Sequence, residues 1–245
     1  MLFVKLFNQF VSIIIFIIAI SAFHCSTLFA ASLDFSASVA TDSILRAITS
    51  TDHGPAILGN TDFNHEVIPN LSLNLGTMVT NVTAAAGRIE QDYYGTLAYN
   101  FANDFFVAPT FTYYTYYYLN RTNTFEYGLT GGHKRISAGV LYTDNLSGFK
   151  TSATCYQLKG NVDLPKAVNI NLAGEFGYLK YGDEVKTAWS NYNYYMISVS
   201  RTIDTRTFSL NYSDTIKRKE VYSNGTKATN SYCDQSLFII AIQRF

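Results

Sequence analysis

Histidine, cysteine and carboxylate side chains bind metals and move protons, and this chain rarely groups them. Beyond the first thirty residues the histidines are His53, His65 and His133. They fall in a loop, near a strand end and in a turn, and none stands at ligand spacing with a cysteine or carboxylate set, so they read as solvated and neither a metal centre nor a cofactor is expected. Acyl transfer needs a serine beside a histidine that a third group orients. No histidine lies at a strand centre next to a serine, so catalysis is not expected. GLTGGHKR at 128–135 is glycine-rich but leads from one strand into another, whereas a phosphate cradle opens a helix. Cys155 and Cys233 could pair in an oxidising compartment, but two cysteines are no framework, and the pairing stays open.

The residues with most scope for chemistry are polar side chains recurring at two-residue spacing: Asp42, Arg46, Asp62, Glu66, Glu126, Arg135, Gln157, Lys159, Asn171 and Glu175. On strands they would share one face. Such a face serves either as mutual packing that stiffens a filled interior or as the lining of a solute path whose charge preference it sets. The mixed signs argue against strong ion selectivity. Asp42 and Arg46, read as part of the first strand, are the best placed for a constriction or a structural pair.

Strands must position these groups, and the sequence alternates almost throughout. In NLSLNLGT, Leu71, Leu73 and Leu75 alternate with Ser72, Asn74 and Gly76; in VNINLAGEFGY, Leu172, Phe176 and Tyr178 alternate with Asn171, Glu175 and Gly177. RISAGVLY, NTFEYGLT and TFSLNY repeat the pattern. About twelve strands are expected, over 34–48, 56–67, 70–80, 91–101, 104–118, 123–132, 134–143, 150–162, 167–181, 189–201, 205–213 and 234–245. Each approaches the ~9 to 11 residues that cross a bilayer when tilted. Junctions at VIPN, AND, GGHKR, DLPK and TIDT are short; those at 83–90, 181–190 and 214–233 are longer or more polar. Short turns on one rim and long loops on the other predict a transmembrane antiparallel up-and-down β-barrel of the outer-membrane type, short side periplasmic, closed because no water satisfies backbone groups in lipid.

Composition agrees. Charged residues make up 15% of the chain, against ~25% for a globular average, while Tyr and Phe number 19 and 18. With 18 Lys and Arg against 18 Asp and Glu there is no basic stripe for nucleic acid; the partners implied are outer-membrane lipid and small solutes. Residues 1–31 read as a secretory signal peptide, with Lys5, the apolar core VSIIIFIIAISAF at 11–23 and small residues in LFAAS, leaving 32–245 as the barrel. A retained anchor helix is the competing reading.

Tyrosine marks one strand. In FTYYTYYYLN, 111–120, Tyr113 and Tyr117 fall on the lipid face and Tyr114, Tyr116 and Tyr118 on the inner one. Phe105 and Tyr117 stand roughly 30 Å apart along the membrane normal, at ~3.3 Å per residue and ~40° tilt, which sets them at the two rims of an apolar band. The three inner rings either close the lumen or line it. The chain ends on Phe245 after QSLFIIAIQR, the aromatic-ended last strand of outer-membrane barrels, but both faces of that strand are apolar and its facing stays open.

The segment TDSILRAITSTDHGPAILGNTDF, 41–63, resembles the opening signature of the TorF-family porins, the Gcw_chp proteins. Asp42, Arg46, Pro55, Ala56, Gly59, Asp62 and Phe63 match; Ser43, Leu45, Ala47 and Leu58 stand where Tyr, Phe, Gly and Gln are expected. The rest of the chain resembles the family only weakly, as in QDYYGTLAY and FEYGLTGG. The resemblance implies an exported outer-membrane barrel with channel activity, no catalytic residues and no settled substrate. A plugged barrel with a structural or surface-binding role, and a lipid-acting barrel enzyme, are the alternative functions.

Overall fold

Strict alternation needs a surface apolar on one side and polar on the other, and the chain builds one by closing a sheet on itself. The structure is a computed structural model, which describes residues 31–83, 89–117, 123–146, 151–165, 168–182, 191–216, 222–223, 226–227 and 235–245. Twelve antiparallel strands form a closed barrel. In chain order they are β1 (Ala31–Ala40), β2 (Ala56–Ile68), β3 (Leu71–Asn81), β4 (Ile89–Asn100), β5 (Phe105–Tyr116), β6 (Thr124–His133), β7 (Ile136–Thr143), β8 (Ala153–Asp163), β9 (Asn171–Tyr181), β10 (Tyr192–Ile203), β11 (Arg206–Ile216) and β12 (Ser236–Arg244). Each strand pairs with its sequence neighbours, and β1 pairs with β12 as well as β2, through Ser36↔Arg244 and Ala40↔Ile240. The barrel sheet itself has no free edge, which a β structure in lipid requires. Among the described residues no helix is long and apolar enough to cross a membrane.

Register then fixes which side chains face outward. Leu33, Phe35, Val39, Ile57, Phe63, Leu75, Val79, Phe111, Leu129, Val140, Leu158, Phe176, Ile197 and Leu210 are all exposed. With Leu97 on β4 and Leu237 and Ile239 on β12 they place an exposed apolar side chain on every strand, the composition a lipid-facing band needs. Outward Tyr113 stacks on Phe125 with ring centroids 4.1 Å apart, and Tyr117 is exposed at the strand end, as expected for a girdle. On β12 the open question is settled. Leu237 and Ile239 are exposed outward while Phe238 is 3% exposed and faces in.

The short turns are as the sequence suggests, joining β2 to β3 at Pro69–Asn70 and β10 to β11 at Asp204–Thr205. Asn70, Asn103 and Asp204 sit at φ of 70°, 68° and 54°, a left-handed conformation that Asn and Asp tolerate better than most residues. The β4–β5 ladder skips from Thr96↔Thr110 to Tyr99↔Val107. Pro109, with no N–H to give, lies in that gap.

One expected strand is wrong. The first run was expected over 34–48, but β1 ends at Ala40 and Ile44–Leu45 pairs with Ile48–Thr49 in a separate hairpin. At its tip Arg46 and Ala47 take φ of 53° and 59°, and this pair of left-handed residues turns the chain back on itself. The expected leader, Tyr118, Trp189, Cys233 and most of the 214–233 loop lie outside the described residues; Ala31 and Ser32, at the expected boundary, already pair with His65 and Asn64.

Candidate functional site: the barrel interior

The hairpin within 41–55 folds into the barrel, and Asp42 holds its base. The Asp42 carboxylate accepts hydrogen bonds from Thr49 Oγ1 at 2.6 Å and Thr51 Oγ1 at 2.9 Å on one oxygen, and from Ser236 Oγ at 3.0 Å on the other. His53 Nδ1 lies 2.9 Å from that second oxygen. The reading of His53 as solvated is thereby corrected. Thr49 and Thr51 are 0% and 2% exposed, so these hydroxyls have left water; they donate to the carboxylate and accept from the backbone N–H groups of Ser43, Thr51 and His53.

The tip reaches the far wall. Arg46 Nη2 donates to both oxygens of Glu126 on β6, at 2.7 and 2.6 Å, and Tyr114 on β5 donates to the same carboxylate at 3.3 Å. Tyr192 on β10 donates to the Arg46 carbonyl at 3.1 Å. Ala47 packs into a buried cluster with Ala153 and Cys155 of β8, Leu179 and Tyr181 of β9, and Tyr192 and Tyr194 of β10. A segment leaving β1 thus bridges to strands on the other side of the ring. Removing one partner of a buried, hydrogen-bonded ion pair costs ~3–5 kcal/mol, so Arg46 and Glu126 hold the tip firmly.

Asp42 and Arg46 are therefore not on the first strand, as the alternation suggested. Both lie on the inserted hairpin, where Ile44, Leu45 and Ile48 imitate a continuing strand.

At the short-turn end the interior opens. A cavity of about 320 Å³ is lined by residues including Phe106, Arg135, Ser137, Lys159, Asn161 and Glu175. Lys159 Nζ stands 3.3 Å from Glu175, which also accepts from Gln157 at 3.0 Å and from Tyr194 at 2.7 Å. Arg135, in the β6–β7 turn, pairs with Asp163 at 3.2 Å, and Asn171 donates to the same carboxylate at 2.8 Å. Across the ring, Tyr94 donates to Asp62 at 2.7 Å and Asn64 donates to Asp34 at 2.9 Å.

Two tyrosines reach across a strand by lying on a glycine. The Tyr94 ring covers Gly76 on β3 on its way to Asp62 on β2, and the Tyr194 ring covers Gly177 on β9 on its way to Gln157 on β8. A Cβ at either glycine would collide with the ring above it. Glycine is needed here for close approach.

Among the other residues singled out from sequence, Asp62, Glu66, Tyr114, Tyr116, Glu126, Gln157, Lys159, Asn171 and Glu175 share the inner face. Sequence reasoning passed over Asp34, Glu90, Asp92, Tyr94, Asp163 and Tyr194, which lie on that same face. The signal was present for Glu90, Asp92 and Tyr94, which alternate in IEQDYYGT, but the aromatic pair hides the phase. Cys155 is a buried free thiol, its Sγ 3.5 Å from the Tyr194 hydroxyl. Among the described residues no group of three or more His, Cys, Asp or Glu could hold a metal ion.

No family model and no curated protein sequence matches the chain. Solved structures do. A chain from work on the in-meso crystallization of membrane proteins superposes with a TM-score of 0.56 at 9% identity, covering 86% of this chain and 83% of that one. The NanC porin gives a TM-score of 0.50 at 12% identity, covering 86% and 98%, and the KdgM porin gives 0.49 at 12%, covering 88% and 98%. At these identities the likeness is one of fold: this chain has the closed antiparallel barrel that NanC also has.

Proposed function

We propose that the chain is an outer-membrane channel for passive diffusion of small solutes, with the inserted hairpin as its narrowest level. The observation that supports this is the pairing of an apolar belt outside with a polar inner face that opens at the short-turn end into a cavity of about 320 Å³. Such a wall keeps water and small polar solutes inside while lipid stays out. The outer membrane of a Gram-negative bacterium is where barrels of this kind work. The resemblance to the TorF-family signature gains a physical sense, because its Arg-Gly falls at Arg46 and Ala47, the two left-handed residues of the tip.

Planar-bilayer recording tests the proposal. Discrete conductance steps from purified, folded protein are the expected result. The burial of Ala47 and the Arg46–Glu126 pair favours a second reading, in which the hairpin plugs the barrel and the protein serves a structural or surface-binding role. A folded barrel that stays electrically silent would overturn the channel reading in favour of a plugged barrel.

A further inference from the structure

The charges of the interior are divided by wall. On the inner face of β1 to β6 stand six carboxylates, Asp34, Asp62, Glu66, Glu90, Asp92 and Glu126, and among the described residues those strands place no Lys or Arg beside them on that face. Arg46, brought over by the hairpin, neutralises Glu126 alone. Cations enter the lower cavity from the β6–β7 turn and from β8, and these are matched: Lys159 with Glu175, Arg135 with Asp163 and Lys134 with Asp104. Arg244, at the exposed end of β12 opposite Ser36, donates to Thr207 at 3.0 Å and adds one cation to the inner face. The mixture of signs that sequence alone read as weak selectivity is thus a set of cancelled pairs, with five carboxylates on β1 to β4 left against Arg244 at the end of β12.

Glu90 and Asp92 carry the argument. They are 8% and 3% exposed and sit two residues apart on one face of β4. Across the β4–β5 ladder their register partners are Tyr116 and Tyr114, and on β3 they are Thr80 and Met78. None of these is a cation. Asp92 Oδ1 is buried with no hydrogen-bond partner. Glu90 and Asp92 hydrogen-bond to each other, and two carboxyls so placed share one proton and keep one negative charge, which a cation from outside the chain would offset. The neighbouring tyrosine rings suit the same visitor, because their faces attract cations.

We infer that the lumen selects small cationic solutes, with Glu90 and Asp92 as a cation subsite beside the hairpin and Asp34, Asp62 and Glu66 as the acidic track below it. This rests on the channel reading, and one experiment separates the two. Wild-type protein and two double variants, E90Q/D92N and D34N/D62N, are reconstituted in planar bilayers under a KCl gradient, with Asp214→Asn as a control that removes a carboxylate from the outward face. Folding of each is checked by heat-modifiable gel migration.

The reversal potential of the wild type is expected on the potassium side. E90Q/D92N is expected to lower the potassium-over-chloride permeability ratio several-fold, D34N/D62N to lower it less, and Asp214→Asn to leave it unchanged. If E90Q/D92N fails to fold, D34N/D62N, whose carboxylates are half-buried or exposed, carries the test. A conducting barrel whose reversal potential is zero or on the chloride side, or whose cation preference survives the variants that fold, overturns the inference and leaves the channel standing. A silent barrel overturns the channel reading and the inference with it.

Discussion

The two ends of the interior hold similar chemistry under opposite conditions. At the hairpin level the ion pair of Arg46 and Glu126 has side chains 9% and 7% exposed; at the short-turn end Lys159 and Arg135 are 50% and 52% exposed in theirs. Buried, such a pair is expensive to break and fixes geometry. Exposed, it is screened by water and salt and is worth ~1 kcal/mol or less. The same residue types therefore act as a clamp at one level and as an adjustable lining at the other, and burial decides which.

The sharpest way to break this contrast is to remove the clamp altogether. Replacing residues 43–52 by a short Gly-Ser connection should turn the upper level into a copy of the lower one and raise single-channel conductance several-fold, the largest change expected of any variant. Next in size is Glu126→Ala, which strands a buried guanidinium. It should cost ~3–5 kcal/mol in denaturant unfolding from detergent and convert steady current into flicker as the tip comes loose. Pairing Arg46→Met with Glu126→Leu should recover most of that stability, because an apolar pair of similar volume avoids the desolvation cost.

The glycine seats come third. Gly76→Ala and Gly177→Ala each push a tyrosine ring off the neighbouring strand it covers and should cost ~1–3 kcal/mol, since overpacking a tight contact displaces its neighbours. If the Tyr94 hydroxyl is what orients Asp62, Gly76→Ala should also shift ion selectivity. Lys159→Ala should have the smallest effect on stability, within ~1 kcal/mol, because water replaces the lost partner.

How far the sequence reveals this molecule differs between its parts. The strands are legible because a barrel wall with lipid outside and polar groups inside imposes period two on every crossing, so Leu71–Leu75 and Ile136–Tyr142 leave little choice. The hairpin is hidden for the same reason. Ile44, Leu45 and Ile48 continue the apolar rhythm of β1, and its turn is made by Arg46 and Ala47 at positive φ, where no glycine announces it. Asp42 and Arg46 could be singled out by residue type, but not placed. The facing of β12 was illegible because both its sides are apolar; Phe238 is taken inward, where it is buried. Glu90 and Asp92 required register, which only pairing between strands supplies.

Asp42 also says something about the order in which the molecule can be made. Its base network joins Thr49, Thr51 and His53 to Ser236, a residue 194 positions further along the chain, and Thr41 donates from its backbone to Ile239 at 3.0 Å. Both links cross the seam where the first and last strands meet. Until β12 arrives, the buried carboxylate lacks one of its donors and the hairpin has an incomplete floor. The last anchors of the insert form only as the ring closes, so the seam that completes the barrel also completes the latch on its hairpin.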